Sequence, residues 1–232
     1  MREVYVESGV GAGFDDGAVI WHFDPDLWGH VAQGRSVDAA LRTWFDEHGP
    51  YRVVEAIEDD EQAFARDLVP AAGDEVARTL AILRTQRERS LALLGSLSPS
   101  LLDRDDPARE MPHWARWRTI RQTLWHICDT ESRYYLPQLG LPNREAADDL
   151  RDELRVSHDH VVRALADLPR DLVRRSGGEA WTSTKLLRRL AWHERGELDA
   201  VDALLCAWTN RATALTESRP QTSARLFDQV DD

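Results

Sequence analysis

The sequence predicts a mainly α protein: a four-helix bundle preceded by a small α+β domain of order β-β-β-α-β. Three observations carry that reading. The first sixty residues alternate in short segments broken by Gly/Asp-rich turns. From Asp74 onward the helical period dominates. Four amphipathic stretches, each long enough to be a bundle helix, follow one another up to about residue 209.

Taken in order, residues 2–8 alternate with Val4 and Val6 on one face, which predicts a strand. The string GVGAGFDDG reads as a turn, AVIWHF as a second strand, DPDLWG as a turn and HVAQG as a short third strand. Ser36 is placed to cap a helix running to about His48, with Val37, Leu41, Trp44 and Phe45 on its apolar face. YRVVEAI predicts the fourth strand, closing a domain over 1–58. Residues 59–73 are acidic, hold Pro70 and end on Gly73, the composition of a linker.

The bundle is expected over 74–210. Its first helix covers roughly 74–95, with Val76, Leu80, Leu83, Leu91 and Leu94 on a broad face. Thr119 and Gln122 make a T-x-x-Q capping box that starts a second helix, ending near Gly140. The third helix covers roughly 145–168, with Leu150, Leu154, Val161, Leu165 and Leu168 in line. The fourth covers roughly 183–209, with a stripe of Leu186, Leu190, His193, Glu197, Val201, Leu204 and Trp208. Residues 211–232 are a polar C-terminal tail. The connections before the second and fourth helices are long, and long loops in a compact domain often carry function.

Composition narrows the function. The 232 residues hold 41 Asp+Glu against 29 Lys+Arg, a formal charge of −12, which opposes binding to a phosphate backbone. No run of 18 uninterrupted apolar residues is present, so no membrane span is expected. The N-terminus MREVYVESG lacks the apolar core of a signal peptide, and two cysteines are too few for a disulfide framework. The expected location is the cytoplasm. Lys185 is the only lysine, an arginine preference best explained by codon bias in a GC-rich genome.

The fourth helix carries the sharpest chemical signal. His193 and Glu197 occupy successive places in an otherwise apolar stripe. A buried carboxylate demands a cation or a hydrogen-bond partner, and i, i+4 spacing puts both side chains within reach of one ion. His126, in TLWHICDTE, adds a nitrogen donor from the second helix. Two imidazoles and a carboxylate are the usual protein complement of a catalytic metal and leave a position open. These donors suit zinc, nickel, iron or manganese. Taken alone, the pair on the fourth helix is equally compatible with core-edge polar residues that touch water.

The strings TIRQTLWHICDTESRYY and LLRRLAWHERGELDAV resemble the DinB-like superfamily of metalloenzymes over about residues 74–209. Those proteins are four-helix bundles with a histidine on the second helix and an H-x-x-x-H motif on the fourth. The resemblance makes His126 the first ligand and His193 the second, and Glu197 falls where the third histidine usually lies. Studied members include thiol S-transferases that use bacillithiol and isomerases that use mycothiol. The resemblance therefore implies a divalent metal, a small-molecule substrate and a low-molecular-weight thiol. HFDPDLWGHVAQGRSVDAAL is similar to HicB-like domains, the small fold of antitoxins. An acidic bundle stands where those proteins carry a DNA-binding segment, so an accessory domain, with a homodimer as one outcome, is the expected role.

Four more residues are candidates around the site. Asp129 and Glu194 are placed to orient a ligand histidine, and His158 falls on the apolar line of the third helix. Tyr134 lies two turns along the second helix from His126, in position to donate to a substrate. The leading expectation is metal-dependent thiol transfer to a small electrophile, with metal-assisted hydrolysis second. The rival reading is a non-catalytic ligand- or partner-binding module with the HicB-like domain as its interaction surface.

Overall fold

The computed structural model describes residues 1–10, 14–59, 62–109, 111–176 and 178–217. The Gly-rich turn expected after β1 falls partly outside the described residues, as do 218–232 of the polar tail.

The N-terminal part has the expected element order: β1 (Arg2–Val10), β2 (Gly17–Trp21), β3 (Ala32–Gly34), α1 (Val37–His48) and β4 (Tyr51–Glu58). The sheet runs β3-β2-β1-β4, with β4 parallel to β1 and the other two pairs antiparallel. A parallel neighbour requires a crossover, and α1 supplies it. Its start is set by Ser36, whose hydroxyl accepts from the Ala39 N–H. One face of the sheet (Val4, Val6, Ala18, Ile20) packs on Ala40 and Trp44 of α1. The other face (Tyr5, Val10, Val19, Trp21) packs on Phe64. Residues 62–73 thus carry buried side chains: Phe64, then Asp67 in the 3-10 turn Ala65–Leu68.

The helical part contains α2 (Gly73–Ser96), a short α3 (Pro99–Leu102), α4 (Ile120–Asp129), α6 (Leu150–Ala166) and α7 (Ser183–Glu217). The predicted second helix is α4 followed by a π-helical segment, Thr130–Tyr135, and a last short turn α5, Leu136–Gln138. The third helix starts at Leu150 rather than 145, because Asp149 caps it by accepting from the Arg151 and Asp152 N–H groups. A hairpin, β5 (Val173–Ser176) with β6 (Glu179–Thr182), fills the connection before α7. The Gly177-Gly178 dipeptide between the two strands is a two-residue hairpin signal, missed in the sequence because the flanking runs are short and largely polar. Among the described residues no helix is long and apolar enough to cross a membrane.

Two differences from the predicted core matter for the site. The buried face of α2 is Thr79, Leu83, Gln86, Arg87 and Ser90, and Leu91 and Leu94 are only partly covered. α7 is buried almost all round from Ser183 to Glu194, not along one stripe. The reason is the N-terminal sheet. Trp21 packs edge-on against Trp192, with ring centroids 5.4 Å apart. Arg189 donates to Glu7 of β1 at 2.6 Å, and Arg188 makes two 2.8 Å bonds to Asp67. A helix covered on all sides carries charge there only because each guanidinium has a buried carboxylate.

Contact density divides the chain at Leu198, and every residue of the candidate site lies in the first unit, Met1–Leu198.

Candidate metal centre

The predicted capping box starts α4: Thr119 Oγ1 accepts from the Gln122 N–H and Gln122 Oε1 accepts from the Thr119 N–H. Two turns on, His126 faces inward. α7 brings His193 and Glu197 to the same place. His126 Nε2 and His193 Nε2 are 3.2 Å apart, and Glu197 Oε1 is 3.6 Å from His126 Nε2. One ligand atom from each of the three lies within 4.8 Å of the other two.

Burial decides their protonation. It pushes His126 down to about 3, with His193 adding to the effect, and His193 down to about 3, with Arg189 and Arg87 adding. Both imidazoles are therefore neutral near pH 7, the form that donates a lone pair. Burial pushes Glu197 up to about 7, opposed by Arg109 and by a hydrogen bond from the Trp117 side chain. A cation beside it would favour the carboxylate form.

The surroundings hold each donor in place. Thr130 Oγ1 lies 3.2 Å from His126 Nδ1 and 3.5 Å from its Nε2. The Trp117 ring stacks on His126 at 3.3 Å between centroids and 9° between planes. Tyr135 stands edge-on to His193 at 5.6 Å. Two neutral nitrogens and one carboxylate oxygen converge in a partly dry, aromatic-walled place, so the residues present fit a divalent cation of the zinc, nickel, iron or manganese type.

A buried ion network lies behind His193. Arg87 donates to Glu194 Oε1 (2.9 Å), Glu131 Oε2 (3.0 Å), Leu154 O (2.6 Å) and Ser157 Oγ (2.7 Å). Burial pushes Glu131 and Glu194 up to about 7 against the pull of Arg87. Glu194 accepts from Arg87 and Ser90 through Oε1, while its Oε2 is buried with no hydrogen-bond partner among the described residues.

The other sequence candidates are outside the converging ligand group, although the Asp129 charge reaches His126. Asp129 pairs with Arg133 at 2.5 Å on the solvent side. Tyr134 is half exposed and, with Asp129, Thr130 and Arg133, lines a shallow open depression. His158 lies on α6 and feels Arg87 and Arg84; it is outside the group that could hold an ion. Thr130, Trp117, Glu131 and Arg87 were not anticipated. Glu131 lies three and four residues beyond the buried Cys128 and Ile127, so ordinary helical spacing puts it on the core face of the second helix, away from the His126 side chain.

Residues 82–198, which include both histidines and Glu197, match the family model described as DinB superfamily. No curated protein and no solved structure matches the chain significantly.

Proposed function

The chain belongs to the DinB superfamily, and on that premise we propose that it is a divalent-metal-dependent enzyme whose ion is held by His126, His193 and Glu197. The observation that carries the proposal is the approach of two neutral imidazole nitrogens to 3.2 Å beside a carboxylate, from helices distant in sequence. Two lone pairs facing each other are poorly arranged without a cation or a shared proton between them.

A bound divalent cation supplies Lewis acidity, which lowers the pKa of a thiol or water so that a nucleophile forms near neutral pH. The chain's own residues do the rest. His126 and His193 give two neutral donors, and Glu197 adds one negative charge. Trp117 and Tyr135 limit water around the imidazoles. Thr130 braces the His126 ring, its hydroxyl slightly nearer Nδ1 than Nε2. The reaction we favour is transfer of a low-molecular-weight thiol, of the mycothiol or bacillithiol kind, to a small electrophile; metal-assisted hydrolysis stands second. The β-β-β-α-β order and the close packing on α7 support reading the N-terminal part as a HicB-like accessory domain.

Elemental analysis of the purified protein tests the core of this. The expected result is close to one divalent ion per chain, with thiol consumption that stops on chelation and returns with metal. A protein that holds no metal and gains none on soaking is a binding module instead.

A further inference from the structure

The two oxygens of Glu131 have different surroundings. Oε2 accepts from Arg87 at 3.0 Å. Oε1 is buried and has no hydrogen-bond partner among the described residues; it stands 3.8 Å from His193 Nδ1, which is buried and likewise without one. Two orphaned groups of complementary kind thus face each other across a gap slightly too long for a hydrogen bond. Leaving both unmade is costly in a dry interior, so the arrangement calls for a state in which they meet.

The chemistry of imidazole identifies that state. A neutral histidine that gives one nitrogen's lone pair to a cation carries its proton on the other nitrogen. With His193 Nε2 committed beside His126, the proton sits on Nδ1 and points toward Glu131. A small rotation of the ring closes the gap. Resting on the metal reading above, we propose that Glu131 is the positioning residue for His193, accepting its Nδ1–H when Nε2 holds a divalent cation. Arg87 keeps the carboxylate from turning away, and is itself anchored by Leu154 O and Ser157. Glu194 takes both Arg87 and Ser90 on Oε1, and its Oε2, though buried and unpartnered among the described residues, has no His193 nitrogen at ion-pair distance as Glu131 Oε1 has; Asp129 is paired with Arg133. Ordinary helical spacing from the buried Ile127 and Cys128 puts this second-helix carboxylate on the core face, toward the fourth-helix histidine.

The test is titration of the metal-free full chain with zinc ion alone against a chromogenic chelator, for wild type, Glu131→Gln and Glu194→Gln. Loss of an outer carboxylate partner weakens metal affinity roughly 10–100-fold, so Glu131→Gln should fall in that range and Glu194→Gln should stay near wild type. Melting temperatures separate this from a merely structural role, since both variants disturb Arg87 similarly. A second measurement needs no variant: in the zinc-loaded wild type, proton-nitrogen spectra should show a downfield, exchange-protected His193 Nδ1–H. Wild-type binding of one zinc with unchanged affinity in Glu131→Gln would overturn the role of Glu131 and leave the metal reading standing. A His193 protonated on Nε2 in the loaded protein does the same. A wild type that binds no zinc removes both.

Discussion

His126 Nε2 and His193 Nε2 lie 3.2 Å apart although the residues are 67 positions distant in the chain. Each is held neutral by burial, so neither repels the other by charge, and each directs a nitrogen at the same point. With no cation between them, one ring can donate an N–H to the other's lone pair, the direction being set by the tautomers.

The first prediction follows from that pair. His126→Ala and His193→Ala should each abolish tight metal binding, because two remaining ligands do not hold a divalent ion against water. Glu197→Gln should weaken binding less, since the amide keeps an oxygen donor and loses only the charge. The metal-free variants should melt close to wild type, as removing a crowded polar pair offsets part of the lost packing. Bound metal per chain, read beside melting temperature, decides it. Unchanged metal content in both histidine variants would sink the assignment.

The second prediction concerns Arg87. It is the cation shared by Glu131 and Glu194, all three being nearly inaccessible to solvent. Arg87→Leu should destabilise the metal-free protein by about 3–5 kcal/mol, the usual effect of breaking one partner out of a buried ion pair. Adding Glu131→Gln and Glu194→Gln should recover a substantial part, because the uncompensated charges go with them. Urea unfolding of the single and triple variants measures this. A single variant as stable as wild type would show that the two carboxylates are already protonated and need no cation.

How much of this was legible in the sequence depends on where periodicity is a faithful guide. Ser36, Thr119 and Gln122 announced two helix starts, because capping is a local exchange between a side chain and the next turn's N–H groups. His193 and Glu197 stood out as polar interruptions of an apolar stripe. Arg87 and Ser90 were the same kind of signal on α2 and passed unread, since Leu91 and Leu94 offered a competing apolar line that the fold leaves half covered. Glu131, at helical spacing from Ile127 and Cys128, was likewise a polar interruption of a buried face and passed unread beside the histidine. The all-round burial of α7 was hidden because it depends on the sheet, a contact between Glu7 and Arg189 that no local window contains. Trp117 lies in a loop with no period at all.

The third prediction tests that sheet-to-helix contact. Gly29 has φ +77°, and a Cβ built there would meet the Ala191 carbonyl oxygen at 2.6 Å. Both the backbone conformation and the close approach reject a side chain. Gly29→Ala should therefore destabilise by at least about 2 kcal/mol, combining strain with overpacking. The clash falls on α7 two residues before His193, so metal affinity should drop as well. Chemical unfolding and zinc titration of the variant provide the two readings. Wild-type stability would mean that the turn and α7 are not in firm contact.

The last prediction is a pH dependence located far from the metal ligands. His22, at the end of β2, is 3% exposed and lies beside Trp44, with ring centroids 5.2 Å apart. Burial pushes it down to about 4, opposed by Asp24 and the His30 backbone and reinforced by the His30 and His48 rings. In the unfolded chain the imidazole takes a proton near its ordinary value of about 6.5. Between those values the unfolded state binds a proton that the native state does not. Stability is therefore unaffected by His22 above about pH 6.5, falls as the pH drops toward 4, and stops falling below it, at roughly 1.4 kcal/mol per unit. The metal histidines act in the same direction, so the effect of His22 must be read as a difference. Metal-free wild type and His22→Leu should be unfolded in urea at several pH values from 7 to 4. The variant's stability should decline less steeply over that window, by about one bound proton, and the two curves should run parallel at neutral pH. Equal slopes throughout would show that His22 titrates normally in the folded chain and that the domain core around Trp44 admits its charged form.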